Sequence, residues 1–308
     1  MVRIVEDKTG WRSDPISVEE FVALFKDMDI PPQDEDAMLS AAPLLHRLNN
    51  NKTFLGEMIL EEMLQDVRSQ EGSAYSAQVV MLATISSDFF VRANFWPAQE
   101  DEVVKKTGSA LFAYGQPHDH NFSFLTSGYF GPGYESDYYV YDRDAYEGYI
   151  GETVELTFTQ TSFLSEGKIQ LYRAHKDVHV QKPPKSLSVS LNIMDSSPSF
   201  RDQFLFSNDL KSIERVAGIA AAWPTLDAAA AMLGEEAVAP LLHVAARHRD
   251  PSTRFHALKA AANVLDEAGA AKVMEVGINS ESKMVAAWSR RYVDWLAGEK
   301  VVALAREF

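Results

Sequence analysis

The 308-residue chain contains no cysteine. That absence excludes disulfides, thiolate metal sites, iron–sulfur ligation and a cysteine nucleophile, so any metal must be held by nitrogen and oxygen. Positive charge is scarce: 29 Lys and Arg stand against 44 Asp and Glu, giving a formal net charge of −15 and a pI near 5.0. Such a surface repels a phosphate backbone and an anionic bilayer, so no nucleic acid and no membrane is expected as a partner. The longest apolar run, 216–223, stops at Pro224, far short of the roughly 20 residues that span a bilayer. The amino-terminal stretch carries Glu6, Asp7, Lys8, Arg12 and Asp14 and has no apolar segment of signal-peptide length, so a cytoplasmic location is expected. No Gly-rich phosphate loop or nucleophile elbow occurs, which argues against nucleotide-dependent and serine-hydrolase chemistry.

Apolar residues, by contrast, are plentiful at 46%, enough for a substantial core in about two domains. Ser17-Val18-Glu19-Glu20 reads as a capping box opening a helix that presents Phe21, Leu24 and Phe25 on one face and ends at Pro31-Pro32. Further helices are expected over 34–48 and 54–69. From about residue 75 the texture changes to β-branched and aromatic runs cut by Gly, Pro and Asp. Strands are expected over 77–85, 89–96, 109–114, 121–129, 137–141, 152–159, 168–173, 178–181 and 187–193, which implies an antiparallel barrel or sandwich. Gly131-Pro132-Gly133-Tyr134 marks a reversal between two of them.

After about residue 210 the chain becomes Ala-rich and helical. Helices opening near Asp250 and Asn279, each preceded by a shorter one over 236–247 and 267–276, resemble HEAT-type repeats; a plain bundle is the alternative. The expected division is a helical lead-in over 1–74, a β section over 75–205 and a helical domain over 206–308.

The sharpest chemical signal is His118-Asp119-His120, with His179 far downstream ahead of an apolar strand. Imidazoles at i and i+2 point to one side of an extended chain, and a third from another strand completes a three-nitrogen metal site. The order His-x-His, strand and turn, a strand led by Gly167, a histidine and a last apolar strand resembles the two-motif arrangement of the cupin superfamily over residues 75–194. A glutamate normally follows His-x-His in that arrangement; the corresponding positions here are Phe124 and Leu125. In the second motif Arg173 and Val178 stand where Pro and His are usual, and His179 comes one residue later.

Three histidines without the glutamate are similar to the thiol dioxygenase branch of cupins, where they bind iron(II), although Asn192 stands where that branch has a further histidine. The resemblance implies an α+β fold: a cupin-like antiparallel β-barrel flanked by the N-terminal helical segment and the C-terminal α-helical (HEAT-like or bundle) domain. It also implies an oxygenase using Fe(II) and O2 on a small or peptidyl substrate. Physically, three neutral imidazoles leave coordination positions open for dioxygen and substrate; Mn, Ni, Zn or Cu would accept the same nitrogens. A 2-oxoglutarate-dependent variant usually needs a carboxylate in the motif, and here would call on Lys185 or Arg201 as anchor.

Around this centre Tyr134, Glu135 and Arg173 are candidate catalytic groups, with Glu135 also the alternative oxygen ligand. Arg92 and Arg173 lie in strand-like runs where a guanidinium grips a carboxylate by two parallel bonds. Tyr129 and His175 complete the candidate substrate-binding set, His175 sharing a face with Asp177 and His179. The competing expectation is a non-catalytic binding or regulatory protein, whose C-terminal helices hold a protein partner or a second copy of the chain.

Overall fold

The structure is a computed structural model that describes residues 2–64, 78–197, 201–217 and 222–297. It opens on a short strand, β1 (Arg3–Val5), that the sequence did not announce. In α1 (Val18–Asp27) the Ser17 hydroxyl accepts from the Glu20 amide while the Glu20 carboxylate accepts from the Ser17 amide, so the capping box forms as expected. The segment over 34–48 makes two helices, α2 (Glu35–Leu39) and α3 (Ala42–Asn50). The cause is Pro43, which has no amide hydrogen to give and is tolerated only in a first turn, so a new helix starts there. α4 (Phe54–Leu64) follows; the remainder of the helix expected to residue 69 lies outside the described residues.

The β section contains β2 (Val79–Thr84), β3 (Phe89–Trp96), β4 (Phe124–Phe130), β5 (Glu135–Val140), β6 (Thr157–Phe163), β7 (Ile169–Tyr172), β8 (Asp177–Gln181) and β9 (Ser188–Asp195). They build a six-stranded antiparallel sheet in the order β1-β7-β4-β9-β3-β2 and a three-stranded antiparallel sheet in the order β6-β5-β8. Two further strands, β10 (Gln203–Phe206) and β11 (Ile213–Ala217), pair as a separate ribbon. Among the described residues the strands make open sheets and no closed barrel. The strand expected over 109–114 is instead α5 (Glu102–Thr107) followed by a 3-10 turn, Ser109–Phe112. Gly108 at φ 83° and Ala113 at φ 54° bracket that turn, and left-handed residues at both ends break an extended run.

The faces of the six-stranded sheet differ in kind. One carries Phe89, Val91, Ala93, Leu125, Ile169, Leu171, Leu191 and Ile193, and packs with Phe21, Phe25, Leu45 and Leu48 of the N-terminal helices into one apolar core. The other follows from the strict alternation of side chains. Register sets Arg92 opposite Asn192, Asn192 opposite Thr126, and Thr126 opposite Gln170, a row of four polar residues running across β3, β9, β4 and β7. The next row along this face is apolar and aromatic: Phe90, Met194, Phe124 and Tyr172. All eight residues of β9 are buried, so its polar positions lie inside the protein.

The reversal Gly131–Tyr134 is held by a close approach. At Gly133, φ 76°, an added Cβ would stand 2.0 Å from the Leu164 carbonyl oxygen, so only glycine fits. The Leu164 amide in turn donates to the Tyr134 carbonyl.

By its contacts the chain divides into two compact units that interleave in sequence. The first comprises Met1–Arg143, Val154–Ser199 and Leu205–Lys211; the second Asp144–Thr153, Phe200–Phe204 and Ser212–Phe308. The second unit is mainly helical: α6 (Ala222–Leu233), α7 (Val238–Arg247), α8 (Pro251–Ala262), α9 (Glu267–Ile278) and α10 (Lys283–Leu296). Side chains of Asp250, Asp266 and Ser282 cap α8, α9 and α10 by accepting from first-turn amides. Phe255, Leu258, Val273, Met274, Val285 and Trp288 form its core. Residues 224–247 have the length and hydropathy of a membrane-crossing helix. A 3-10 turn, Gly234–Ala237, with Gly234 at φ 60°, divides them into helices too short to span.

Candidate metal centre

Residues 117–120 run extended beside β8. His118 and His179 exchange both backbone hydrogen bonds, at 3.2 and 3.0 Å, and form a directly opposed antiparallel pair. The His120 carbonyl accepts from the His175 amide at 2.8 Å. Alternation then puts His118 and His120 on one side of the segment and Asp119 on the other, where its buried carboxylate accepts from the Tyr141 hydroxyl at 2.6 Å.

The three rings meet through one nitrogen each. Nε2 of His179 lies 3.0 Å from Nε2 of His118 and 3.2 Å from Nε2 of His120, and ligand atoms of the three histidines all fall within 4.8 Å of one another. Nitrogens each about 2.1 Å from one ion stand about 3.0 Å apart at right angles and about 3.4 Å apart at the tetrahedral angle. The observed separations therefore suit three ligands on one face of a single ion. The donor set agrees: Nδ1 of His118 lies 2.8 Å from the Gln116 carbonyl, which accepts only, so that nitrogen carries the proton and Nε2 presents a bare lone pair.

Burial pulls all three imidazoles below their ordinary pKa, His120 and His179 furthest. Charge on His118, His179 and Arg92 adds to the effect at His120, and charge on His118 adds to it at His179. At His118 the Gln116 carbonyl and Asp119 oppose it. The cluster is thus neutral near pH 7, the form in which imidazole binds a cation. In metal-free protein an unfolded chain gains protons on these residues below its ordinary value of 6.5 while the folded chain does not. Stability is therefore expected to fall as pH drops through this window, by up to about 1.4 kcal/mol per pH unit for each histidine. Denaturant midpoints in steps from about pH 7 to about pH 5 check this; a flat profile would contradict it.

Beside the nitrogens lies an aromatic wall. His120 packs 5.0 Å from both Phe122 and Phe124, and the Tyr172 ring stands 5.0 Å from that of His179. The Tyr172 and Tyr138 hydroxyls lie 2.9 Å apart, and the Gln170 amide donates to both, at 2.9 and 2.8 Å. Tyr134, expected near the site, is buried and hydrogen-bonded to Tyr172. Burial raises the pKa of all three phenols, so they are neutral hydroxyls and not phenolates. Sequence reading missed Tyr172 and Gln170, which alternate inward along β7; the only local signal was the Gln-Leu-Tyr alternation itself.

The other expected site residues have different neighbours. Glu135 pairs with Lys182 at 2.5 Å and is not a member of the histidine group. Arg173 grips the buried Asp177 carboxylate through Nε at 3.0 Å and a terminal nitrogen at 2.7 Å. That clamp closes the turn from β7 to β8, where His175 sits at φ 58°. Arg173→Ala is expected to cost about 3 kcal/mol by leaving a buried carboxylate without its cation, read as a lower denaturant midpoint. His175 places Nδ1 3.7 Å from Asp119. Tyr129 turns to the helix side of the sheet, its hydroxyl donating to the Asn51 carbonyl at 2.8 Å. Arg92 lies in the polar row, and Nε is buried with no hydrogen-bond partner among the described residues. Thr126 Oγ1 and Gln170 Oε1 are in the same condition, each such group costing about 1–3 kcal/mol.

No protein-family model matches this chain, and no curated protein matches it. Among solved structures it is similar to a salicylate 1,2-dioxygenase from Pseudaminobacter salicylatoxidans, with a TM-score of 0.25 and 8% identity over 46% of this chain and 33% of that one. It is similar to the DMSP lyases RdDddP and RnDddQII, with a TM-score of 0.26 and 11% identity over 67% of this chain and 84% of that one. It is also similar to the DMSP lyase DddQ from Ruegeria pomeroyi DSS-3, with a TM-score of 0.27 and 10% identity over 63% and 81%. The chain thus spans a third of the length of the dioxygenase. These neighbours are enzymes, but the likeness is too loose to carry an activity across; the three histidines stand on their own geometry.

Proposed function

We propose that the chain is a metal-dependent enzyme of cupin type, an iron(II) oxygenase acting with dioxygen on a small or peptidyl substrate in the cytoplasm. The observation that carries this is the convergence of three Nε2 atoms at 3.0 and 3.2 Å, in neutral imidazoles, with no carboxylate in the group. A bound metal of this kind supplies Lewis-acid and one-electron chemistry. His118, His120 and His179 hold it, and the Gln116 carbonyl fixes the tautomer of His118. Phe122, Phe124 and Tyr172 exclude water on one side. The hydroxyls of Tyr134, Tyr138 and Tyr172, kept protonated by burial, orient a substrate as hydrogen-bond donors.

The cupin assignment treats the six- and three-stranded sheets as walls of one barrel. The packing of α7 on α8, α8 on α9 and α9 on α10 supports reading those helices as HEAT-like pairs that meet a protein partner or a second copy. Metal analysis of purified protein, with a spectroscopic test for iron and oxygen uptake in the presence of candidate substrates, tests the reading. Stoichiometric iron with substrate-dependent uptake supports it. Protein that stays metal-free after exposure to iron(II) overturns it in favour of a non-catalytic binding role.

A further inference from the structure

Within the second unit, the turn from α8 to α9 and the last turn of α10 enclose a cavity of about 500 Å³, a volume in the range of small-molecule sites. None of its residues belongs to the histidine group. Its aromatic wall comes from α10, where Tyr292 and Trp295 lie three residues apart on one helix face and stack with ring centroids 5.6 Å apart. Tyr292 is buried and its hydroxyl donates to the Asn263 side-chain oxygen, which fixes the ring. Trp295 stays 44% exposed, so its indole can be reached from solvent. Leu265, Ala270 and Leu296 add apolar surface. The only charged residue lining the cavity is Glu267, and no ion pair is made to its carboxylate among the described residues. Helix ends act in the same sense. Two carboxyl-terminal ends open here, that of α8 at Ala262 and that of α10 at Leu296, and each brings the negative pole of its helix. The one amino-terminal end, that of α9, is offset by its cap Asp266 and by Glu267.

These surroundings select a cation, and the shortage of free acceptors selects which kind. A hydrated divalent metal calls for several oxygen ligands, and a bare ammonium or guanidinium for three to five hydrogen-bond acceptors. The cavity offers one carboxylate, and the Asn263 oxygen is already taken by Tyr292. A methylated ammonium group needs neither: its charge is spread over methyl groups that donate few or no hydrogen bonds, and those methyls lie against aromatic faces and apolar side chains. We propose that this cavity is a binding site for a quaternary or otherwise methylated ammonium group, seated against Trp295 and Tyr292, with Glu267 as its counter-charge and its methyls on Leu265 and Ala270. A free quaternary amine and a methylated lysine of a partner protein share this chemistry. The site is independent of the metalloenzyme reading and stands or falls without it.

Titration calorimetry on the full chain tests this with four probes: tetramethylammonium, choline, a short peptide carrying trimethyl-lysine, and 3,3-dimethyl-1-butanol, the uncharged isostere of choline. Wild type is expected to bind choline or the peptide at least about 10-fold more tightly than the isostere. Trp295→Leu should weaken that binding at least about 10-fold. Glu267→Gln should weaken it about 3-fold and remove most of its dependence on salt. The His118→Ala/His120→Ala double variant should keep it within about 2-fold, which separates this site from the metal centre. Tighter binding of the peptide than of choline assigns the site to a methylated protein, and the reverse order assigns it to a free amine; either supports the proposal. Should Trp295→Leu fail to fold, the isostere comparison on wild type and the exposed Glu267→Gln variant still decide. Equal binding of choline and its isostere, undiminished binding by folded Trp295→Leu, or no binding of any charged probe at about 10 mM overturns the proposal. Binding lost in the double histidine variant overturns it as well, by moving the cation to the other unit.

Discussion

Protein carrying His118→Ala and His120→Ala together is expected to retain less than about one hundredth of the wild-type metal affinity and no measurable metal-dependent activity. Loss of an outer hydrogen-bond partner alone typically weakens a metal site by about 10- to 100-fold, and here two of three nitrogen donors disappear. The remaining imidazole, His179, has no carboxylate in the histidine group to compensate. The fold should survive, because the segment over 117–120 is positioned by backbone bonds from His118 to His179 and from His175 to His120, which alanine keeps. Elemental analysis beside a circular dichroism spectrum separates the two effects. Native-like protein with undiminished metal would show that the ion binds elsewhere.

The second large effect is expected from one methyl group. Gly133→Ala should destabilise the protein by about 3–5 kcal/mol, from the left-handed backbone that alanine disfavours and from contact with the Leu164 carbonyl oxygen at 2.0 Å. Backbone oxygen cannot rotate away as a side chain would, so the β4–β5 reversal must shift and carry Tyr134 with it. A fall in Tm of about 10 °C is the expected reading. Gly167→Ala is the control: φ is also positive, at 74°, but nothing lies within 4 Å, so only the local backbone cost of about 1 kcal/mol remains. Equal effects at the two glycines would rule out the clash as the cause.

What the sequence disclosed, and what it withheld, divides along the range of the interactions involved. The strand over 89–96 was legible because it is an aromatic and apolar run, with Phe89, Val91 and Ala93 at every second position, that no glycine or proline interrupts. The grouping of His118, His120 and His179 was legible because alternation within one segment and strand order along the chain suffice to converge them. The strand β1 was not, since three residues over 3–5 gain their conformation only by pairing with β7. The run over 109–114 misled for the opposite reason: its aromatic and small residues suit a strand, yet the conformations of Gly108 and Ala113 are set by what surrounds them.

Residue-level roles failed in the same way. Arg173 looked like a candidate for gripping a substrate until the fold set it against Asp177, and Tyr172 looked ordinary until β7 was placed beside β4. The polar row was invisible in one dimension because its four members come from four strands.

The order in which the sheet is assembled has a consequence for how the protein is made. Arg3 pairs with Leu171, and the helices that carry Phe21, Leu45 and Leu48 bury them against Leu191 and Ile193. During synthesis those helices emerge before β9 and must wait, apolar face uncovered, until that strand has been made. Such distant pairing makes for slow folding and a long exposure to aggregation. Yield in a heterologous host is therefore expected to rise with chaperone supply and with lower growth temperature.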